Sequence, residues 1–153
     1  MKRIEVKLSL PVVAPLLDVI KSLSEAMRGN LAAPLAMGDL DPEFRDDWTA
    51  ELLEAQTSDV GVLLALFDDD FFSEGVIALD EKNAESVVRA CAAVRLRLRE
   101  HHLKGIADET LESSDVELED LAEPVRKAFM CYLFLATLQE LIIQHLDSTI
   151  LEG

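Results

Sequence analysis

Cysteine and positive charge are both scarce in this chain, and each shortage excludes a class of function. Only two cysteines are present, Cys91 and Cys131, and neither has another cysteine or a histidine at metal-ligand spacing. A zinc site or a redox pair therefore has no support in the sequence. We expect both thiols to act as small hydrophobic core residues in a reducing compartment.

The charge balance is strongly acidic. Fourteen Lys and Arg residues face thirty Asp and Glu residues, which gives a net charge of −16. Such a surface repels the phosphates of nucleic acids and of anionic lipids, so we expect neither nucleic acid nor a membrane as a partner. The acidity favours a role in solubility; the alternative is a docking face for a basic partner.

No motif for a cofactor, a bound phosphate or a catalytic nucleophile is recognisable, and no cofactor is expected. Lys2 and Arg3 precede an alternating segment instead of a continuous apolar run, so the sequence predicts no signal peptide and a cytoplasmic protein. Gln139 and Glu140 interrupt the apolar run of the last helix, leaving it short of the roughly twenty residues that a bilayer requires.

Half of the 153 residues are apolar, enough for one compact domain over residues 1–153. Alternating apolar residues from Ile4 to Leu10 predict a half-buried strand ended by Pro11. Residues 76–79 are the other extended candidate, so we expect a two-stranded ribbon beside the helices. The predicted fold class is mainly α, a bundle of about five helices with this minor ribbon.

Start and stop signals place the helices. The first begins between Val12 and Pro15 and ends at Gly29, the second opens at Asp41 and Pro42, and the third starts at residues 57–59. The fourth runs from Glu81 to Leu103, with Asp80 as its cap, and packs antiparallel to the last, which runs from Leu121 to Leu146. The expected buried stripes are Leu16, Leu17, Ile20, Leu23 and Met27 in the first helix and Ala84, Val87, Val88, Cys91, Val94 and Leu98 in the fourth.

Two segments are predicted to be loops rich in carboxylates. Asp68 to Asp70 closes the third helix, and a solvated loop is favoured there because the EF-hand pattern needs spacers and a glycine that are missing. Residues 107–120 are too polar to pack and are expected to form a mobile acidic loop for docking or modification, around Ser113 and Ser114.

The last helix is apolar on all sides between residues 129 and 137. Such a helix is either the central pillar of the bundle or half of a subunit interface. A homodimer is therefore a candidate assembly, with Phe129, Tyr132, Leu133 and Phe134 as interface candidates.

The end of the fourth helix concentrates positive charge between residues 95 and 104. These cations either complement the negative pole of the helix C-terminus or bind an anionic ligand. Arg95 lies at the margin of the buried stripe, so its guanidinium needs a partner, and Gln139 or Glu140 is the candidate. This pair is either a structural clamp or a ligand anchor.

The chain resembles an uncharacterised bacterial family catalogued as a domain of unknown function. The resemblance rests on residues 94–98, on Tyr132 with Leu135 and residues 138–140, and on Trp48 with residues 59–63. It implies a helical fold in a bacterial cell and members often encoded beside the adaptor of the Clp protease, and it supplies no mechanism.

The sequence thus predicts a non-enzymatic regulatory or adaptor protein that acts through protein–protein contacts. The alternative is a helical domain that binds or transforms a small anionic ligand through Arg95 with Gln139 or Glu140.

Overall fold

A computed structural model describes residues 3–28, 42–103, 106 and 121–146, apart from the side chains of residues 42 and 45. Within these residues the protein is mainly helical with a two-stranded antiparallel sheet, which confirms the predicted fold class. The predicted helix signals at Gly29 and Asp41 and the predicted acidic loop at 107–120 lie outside the described residues. The elements are β1 (Arg3–Lys7), α1 (Leu10–Ala26), α2 (Pro42–Ala65), α3 (Asp69–Glu74), β2 (Val76–Asp80), α4 (Ala84–His101) and α5 (Glu123–His145).

The predicted ribbon is present. β1 pairs antiparallel with β2, with Ile4 opposite Leu79 and Val6 opposite Ile77, so these apolar side chains share the face that packs on the core. The strand ends at Lys7, earlier than expected, because the chain turns into α1 at Leu10. Pro11 lies in the first turn of that helix, where its missing N–H is not needed.

The prediction of two separate helices between residues 42 and 67 is wrong, because α2 continues from Pro42 to Ala65 without a break. Thr57, Ser58 and Asp59 have side chains that favour helix starts. Asp59, however, directs its carboxylate to Arg89 on α4, so packing between the helices overrides the local preference.

The acidic triplet at residues 68–70 opens a helix instead of forming a solvated loop. The Asp68 carboxylate accepts hydrogen bonds from the backbone N–H groups of Asp70 at 3.1 Å and Phe71 at 3.3 Å, which caps α3. Carboxylates in a first turn also complement the positive end of a helix. Gly75 ends α3 with a positive φ of 74°, a conformation that favours glycine.

Helix α4 occupies the centre of the bundle and packs against α2, α5 and α1. It begins at Ala84, later than predicted, because the Asp80 carboxylate caps the turn before it by accepting the N–H groups of Lys82 and Asn83. Contacts pair Val88 with Gln139 and Arg95 with Tyr132. Later α4 residues thus meet earlier α5 residues, and the two helices are antiparallel, as predicted.

The core joins the helices and the inner face of the ribbon. Cys91 and Cys131 are both buried as free thiols inside it, in the core role that was predicted. Among the described residues one helix, α5, is long and apolar enough to cross a membrane by length and composition alone. A core helix of a soluble protein meets the same criterion, so the expectation that this helix does not span a membrane stays a prediction. The predicted apolar stripes of α1 and α4 are buried except for Val88, which is half-buried. The largest fully buried side chains of the core are Phe71, Phe129, Leu17, Ile20, Met27, Leu63, Ile77, Leu79, Leu98, Leu103 and Leu135.

Candidate functional site

The N-terminal half of α2 presents two aromatic side chains to solvent. Phe44 is 52% exposed and Trp48 is 44% exposed. Their ring centroids lie 5.6 Å apart with an angle of 82° between the ring planes, an edge-to-face contact. Leu52 continues the same helix face at the next i+4 position and is half-buried. We call Phe44, Trp48 and Leu52 the aromatic face of α2.

Carboxylates surround the aromatic face. The exposed acidic residues of this half of α2 are Glu43, Asp46, Asp47, Glu51 and Glu54. Adjacent exposed aromatic residues, rimmed by polar side chains, are typical of a protein-binding surface. Phe44 and Trp48 are four residues apart, so their spacing places both on one side of a helix. The sequence gives no reason to expect that side to be exposed among the described elements.

The guanidinium of Arg95 lies between α4 and α5. Its Nη1 donates to Oε1 of Gln139 at 2.6 Å, and its Nη2 donates to the hydroxyl of Tyr132 at 3.1 Å. The group also lies 4.5 Å from the centroid of the Tyr132 ring, within the range of a cation–π contact. Gln139 is held in turn, because its Nε2 donates to the carbonyl oxygen of Val88 at 3.0 Å.

The contact predicted between Arg95 and Gln139 is therefore present, whereas Glu140 takes no part in it. Glu140 is exposed and accepts a hydrogen bond from Gln144 on its own helix. Tyr132 is the partner that the sequence argument missed. It lies two helical turns before Gln139, so both share one face of α5, and this spacing was the available signal.

The four interface candidates on α5 are mostly covered within the chain itself. Phe129 is 1% exposed and Tyr132 is 3% exposed. Leu133 and Phe134 are half-buried against the core, with the Phe134 ring 6.2 Å from that of Phe67. One face of α5 is thus covered by its own chain, and a homodimer through this helix stays a prediction.

A bidentate ion pair links α2 to α4. Nε of Arg89 donates to one oxygen of the Asp59 carboxylate at 2.9 Å, and Nη2 donates to the other at 3.0 Å. Nη1 of Arg89 also donates to Glu85 at 2.6 Å. The hydrogen bond with Asp59 contributes most to raising the pKa of Arg89. Sequence reasoning missed this pair, since its members lie 30 positions apart.

A groove of about 550 Å³ runs beside the outer face of the ribbon. Among the described residues that line it, Arg3 is the only cation, against the carboxylates of Glu5, Asp68, Asp70, Glu74 and Asp80. Such a groove attracts cations through its charge. Among the described residues no three side chains of the metal-binding types are grouped closely enough to hold an ion.

The two cysteines are chemically quiet. Burial raises the pKa of Cys91 and of Cys131 to about 12. Because the thiolate is the reactive form of cysteine, both groups stay protonated and unreactive at neutral pH.

Comparison with known proteins gives a family without a mechanism. The model of a family described as a domain of unknown function, DUF2017, matches residues 24–146, a range that contains α2 to α5 and β2. The chain therefore belongs to this family. No curated protein and no solved structure gives a significant match.

Proposed function

We propose that this member of the DUF2017 family is a regulatory or adaptor protein that acts through protein–protein contacts, with the aromatic face of α2 as its contact surface. The exposed pair of Phe44 and Trp48 is the observation that carries the proposal. Aromatic side chains bring a large apolar area to an interface at a small cost in side-chain entropy, and tryptophan is enriched among the residues that dominate binding energy.

The surroundings of the aromatic face favour a partner that is both apolar and basic. Carboxylates flank the two aromatic rings, and the whole chain carries a net charge of −16. A complementary surface has apolar anchors flanked by Lys or Arg, as an amphipathic basic helix does. Electrostatic attraction would speed the encounter, and burial of the aromatic rings would provide most of the affinity.

The expected setting is the cytoplasm of a bacterium. This follows from the resemblance to a bacterial family whose members are often encoded beside the adaptor of the Clp protease. A regulatory partner of a proteolytic system is consistent with a small acidic protein that exposes an aromatic contact surface.

The test uses Trp48, which is the only tryptophan of the chain and therefore reports on this face alone. The probe is a helical model peptide with leucine on one face and lysine on the other; its counterpart carries glutamate in place of lysine. We expect the lysine peptide to shift the Trp48 emission to shorter wavelength in a saturable manner, because the indole becomes covered. The glutamate peptide is expected to have no effect.

Phe72 supplies a matched control, since it is an exposed phenylalanine, at 51%, on α3 instead of α2. Phe44→Ser should weaken binding of the lysine peptide, while Phe72→Ser should leave it unchanged. Equal binding by the two variants would mean that charge alone attracts the peptide, and the proposal would fail. Light scattering that shows a dimer dissociated by Phe44→Ser would assign this face to a second copy of the chain instead.

A further inference from the structure

The positive charge of Arg95 has no carboxylate partner among the described residues. Arg95 is half-buried, and both of its hydrogen-bond partners, Gln139 and Tyr132, are neutral. Arg89, on the same helix, pairs with both Asp59 and Glu85. A partly buried charge that lacks a counter-ion is costly. In a chain with thirty acidic residues, its neutral surroundings are a specific feature of this position.

The guanidinium of Arg95 is also held in place, and it retains N–H donors that its two partners do not use. An arginine has five N–H groups. One on Nη1 and one on Nη2 bind Gln139 and Tyr132, and the Nε is buried with no partner. Each Nη keeps a second hydrogen. The aromatic ring below and the amide beside it fix the plane of the group, so an incoming oxyanion would meet donors that are already oriented.

A cavity opens at this guanidinium. It measures about 270 Å³ and is lined by Ala92, Arg95, Leu96, Arg99 and Tyr132. Among these described lining residues Arg95 brings a positive charge, and none carries a carboxylate. The lining is therefore positive within a protein whose net charge is −16, whereas the groove beside the ribbon is lined mainly by carboxylates.

We infer that this cavity is a binding site for a small organic anion that bears a carboxylate or phosphate group. The remaining donors of Arg95 bind the oxyanion, and the apolar side chains of Ala92 and Leu96 contact the remainder of the molecule. The volume suits a metabolite-sized ligand and is below the range of drug-sized pockets, about 300 to 1,000 Å³. The site shares no residue with the aromatic face of α2, so it is independent of the proposed contact surface.

The test titrates the full chain with inorganic phosphate and, separately, with succinate, and follows the backbone amide resonances by NMR. We expect saturable shifts confined to α4 and α5, with dissociation constants on the order of 1 mM for such small probes. Saturation by phosphate alone assigns the site to phosphorylated ligands, and saturation by succinate alone assigns it to carboxylates.

Arg97 provides a matched control, because it lies on α4, does not line the cavity and also has a buried Nε without a partner. Arg95→Met and Arg97→Met change the net charge equally. We expect the first to weaken binding at least about tenfold, since a charge-assisted pair is lost, and the second to leave binding unchanged. If Arg95→Met does not fold, Arg95→Lys is used in its place, with weakened binding expected again because lysine lacks the planar fork of donors.

The inference is overturned if neither probe saturates, or if Arg97→Met weakens binding as much as the cavity variants do. The amide spectrum of each variant checks its fold in the same experiment. A failure here would leave the contact surface on α2 untouched, because the two tests share no residue and no probe.

Discussion

Removing Arg89 should destabilise the protein more than removing the charge of its partner, Asp59. The Asp59 side chain is 11% exposed and that of Arg89 is 51% exposed. With Arg89→Met, a carboxylate that is only 11% exposed loses both of its charge-assisted hydrogen bonds. With Asp59→Asn, the half-exposed guanidinium returns to solvent and keeps Glu85.

The magnitudes follow from this geometry. Two hydrogen bonds to charged groups are worth about 3 to 6 kcal/mol together before correction for exposure. Solvent screening at the half-exposed Arg89 reduces the coupling between the two side chains to about 1 to 2 kcal/mol. We expect Asp59→Asn to lower the free energy of unfolding by about 1 to 2 kcal/mol and Arg89→Met to lower it by about 2 to 4 kcal/mol, because only the latter leaves an unpaired buried charge.

The assay is urea unfolding of the wild type, both single variants and the double variant, which together give a double-mutant cycle. Glu85→Gln is the control, because it removes one negative charge, as Asp59→Asn does, but from an exposed pair. It should change stability by less than about 0.5 kcal/mol. This prediction is refuted if Arg89→Met lowers the free energy of unfolding no more than Asp59→Asn does, or if the coupling energy between the two side chains is near zero. Either result would mean that this ion pair does not stabilise the contact between α2 and α4.

Four further outcomes are expected from local geometry. Gly75→Ala should destabilise the fold by about 2 to 4 kcal/mol in urea unfolding, because φ is +74° and the new Cβ would lie 2.6 Å from the Leu8 carbonyl oxygen. Gly61→Ala should instead stabilise the fold by about 0.5 to 1 kcal/mol, because Gly61 lies inside a helix and the new Cβ would meet no atom within 4 Å. Burial raises the pKa of the Cys91 thiol from 9.0 to about 12, so the stability that the protonated thiol contributes is complete below pH 9 and is lost as the pH rises towards 12. Cys91→Ala should therefore flatten the alkaline part of a curve of stability against pH. Arg95→Met should change the free energy of unfolding by no more than about 3 kcal/mol in either direction, because it removes charge and partners while keeping bulk; calorimetry that shows a larger loss would mean that Arg95 is indispensable to the packing of α4 on α5.

Hydrophobic periodicity was enough to predict much of the architecture. The alternation of residues 4–10 identified the strand, and the apolar spacing of α1 and α4 identified stripes that the structure buries, with Val88 only half-buried. These patterns are legible because a strand repeats every two residues and a helix every 3.6, so burial of one face leaves a local signature. The margin of the α4 stripe likewise indicated that Arg95 would need a partner on α5.

Only the tertiary structure decided which polar groups meet. The residues at 57–59 favour a helix start locally, but the attachment of Asp59 to Arg89 keeps α2 continuous. Gln139 and Glu140 are neighbours in sequence, and the rotation of α5 about its axis selects Gln139 for Arg95. A helical step of about 100° separates adjacent side chains. Which of the two contacts Arg95 therefore depends on how α4 and α5 dock, and neither segment alone predicts it.

The exposure of Phe44 and Trp48 was also decided by the tertiary structure. By itself the sequence determined that both rings share one side of α2, because four residues complete about one helical turn. A helix stripe of this composition is expected to be buried, and only the arrangement of the described elements shows that these rings lie at the surface. Local periodicity determines which side chains lie together, whereas the positions of the neighbouring elements determine whether anything covers them.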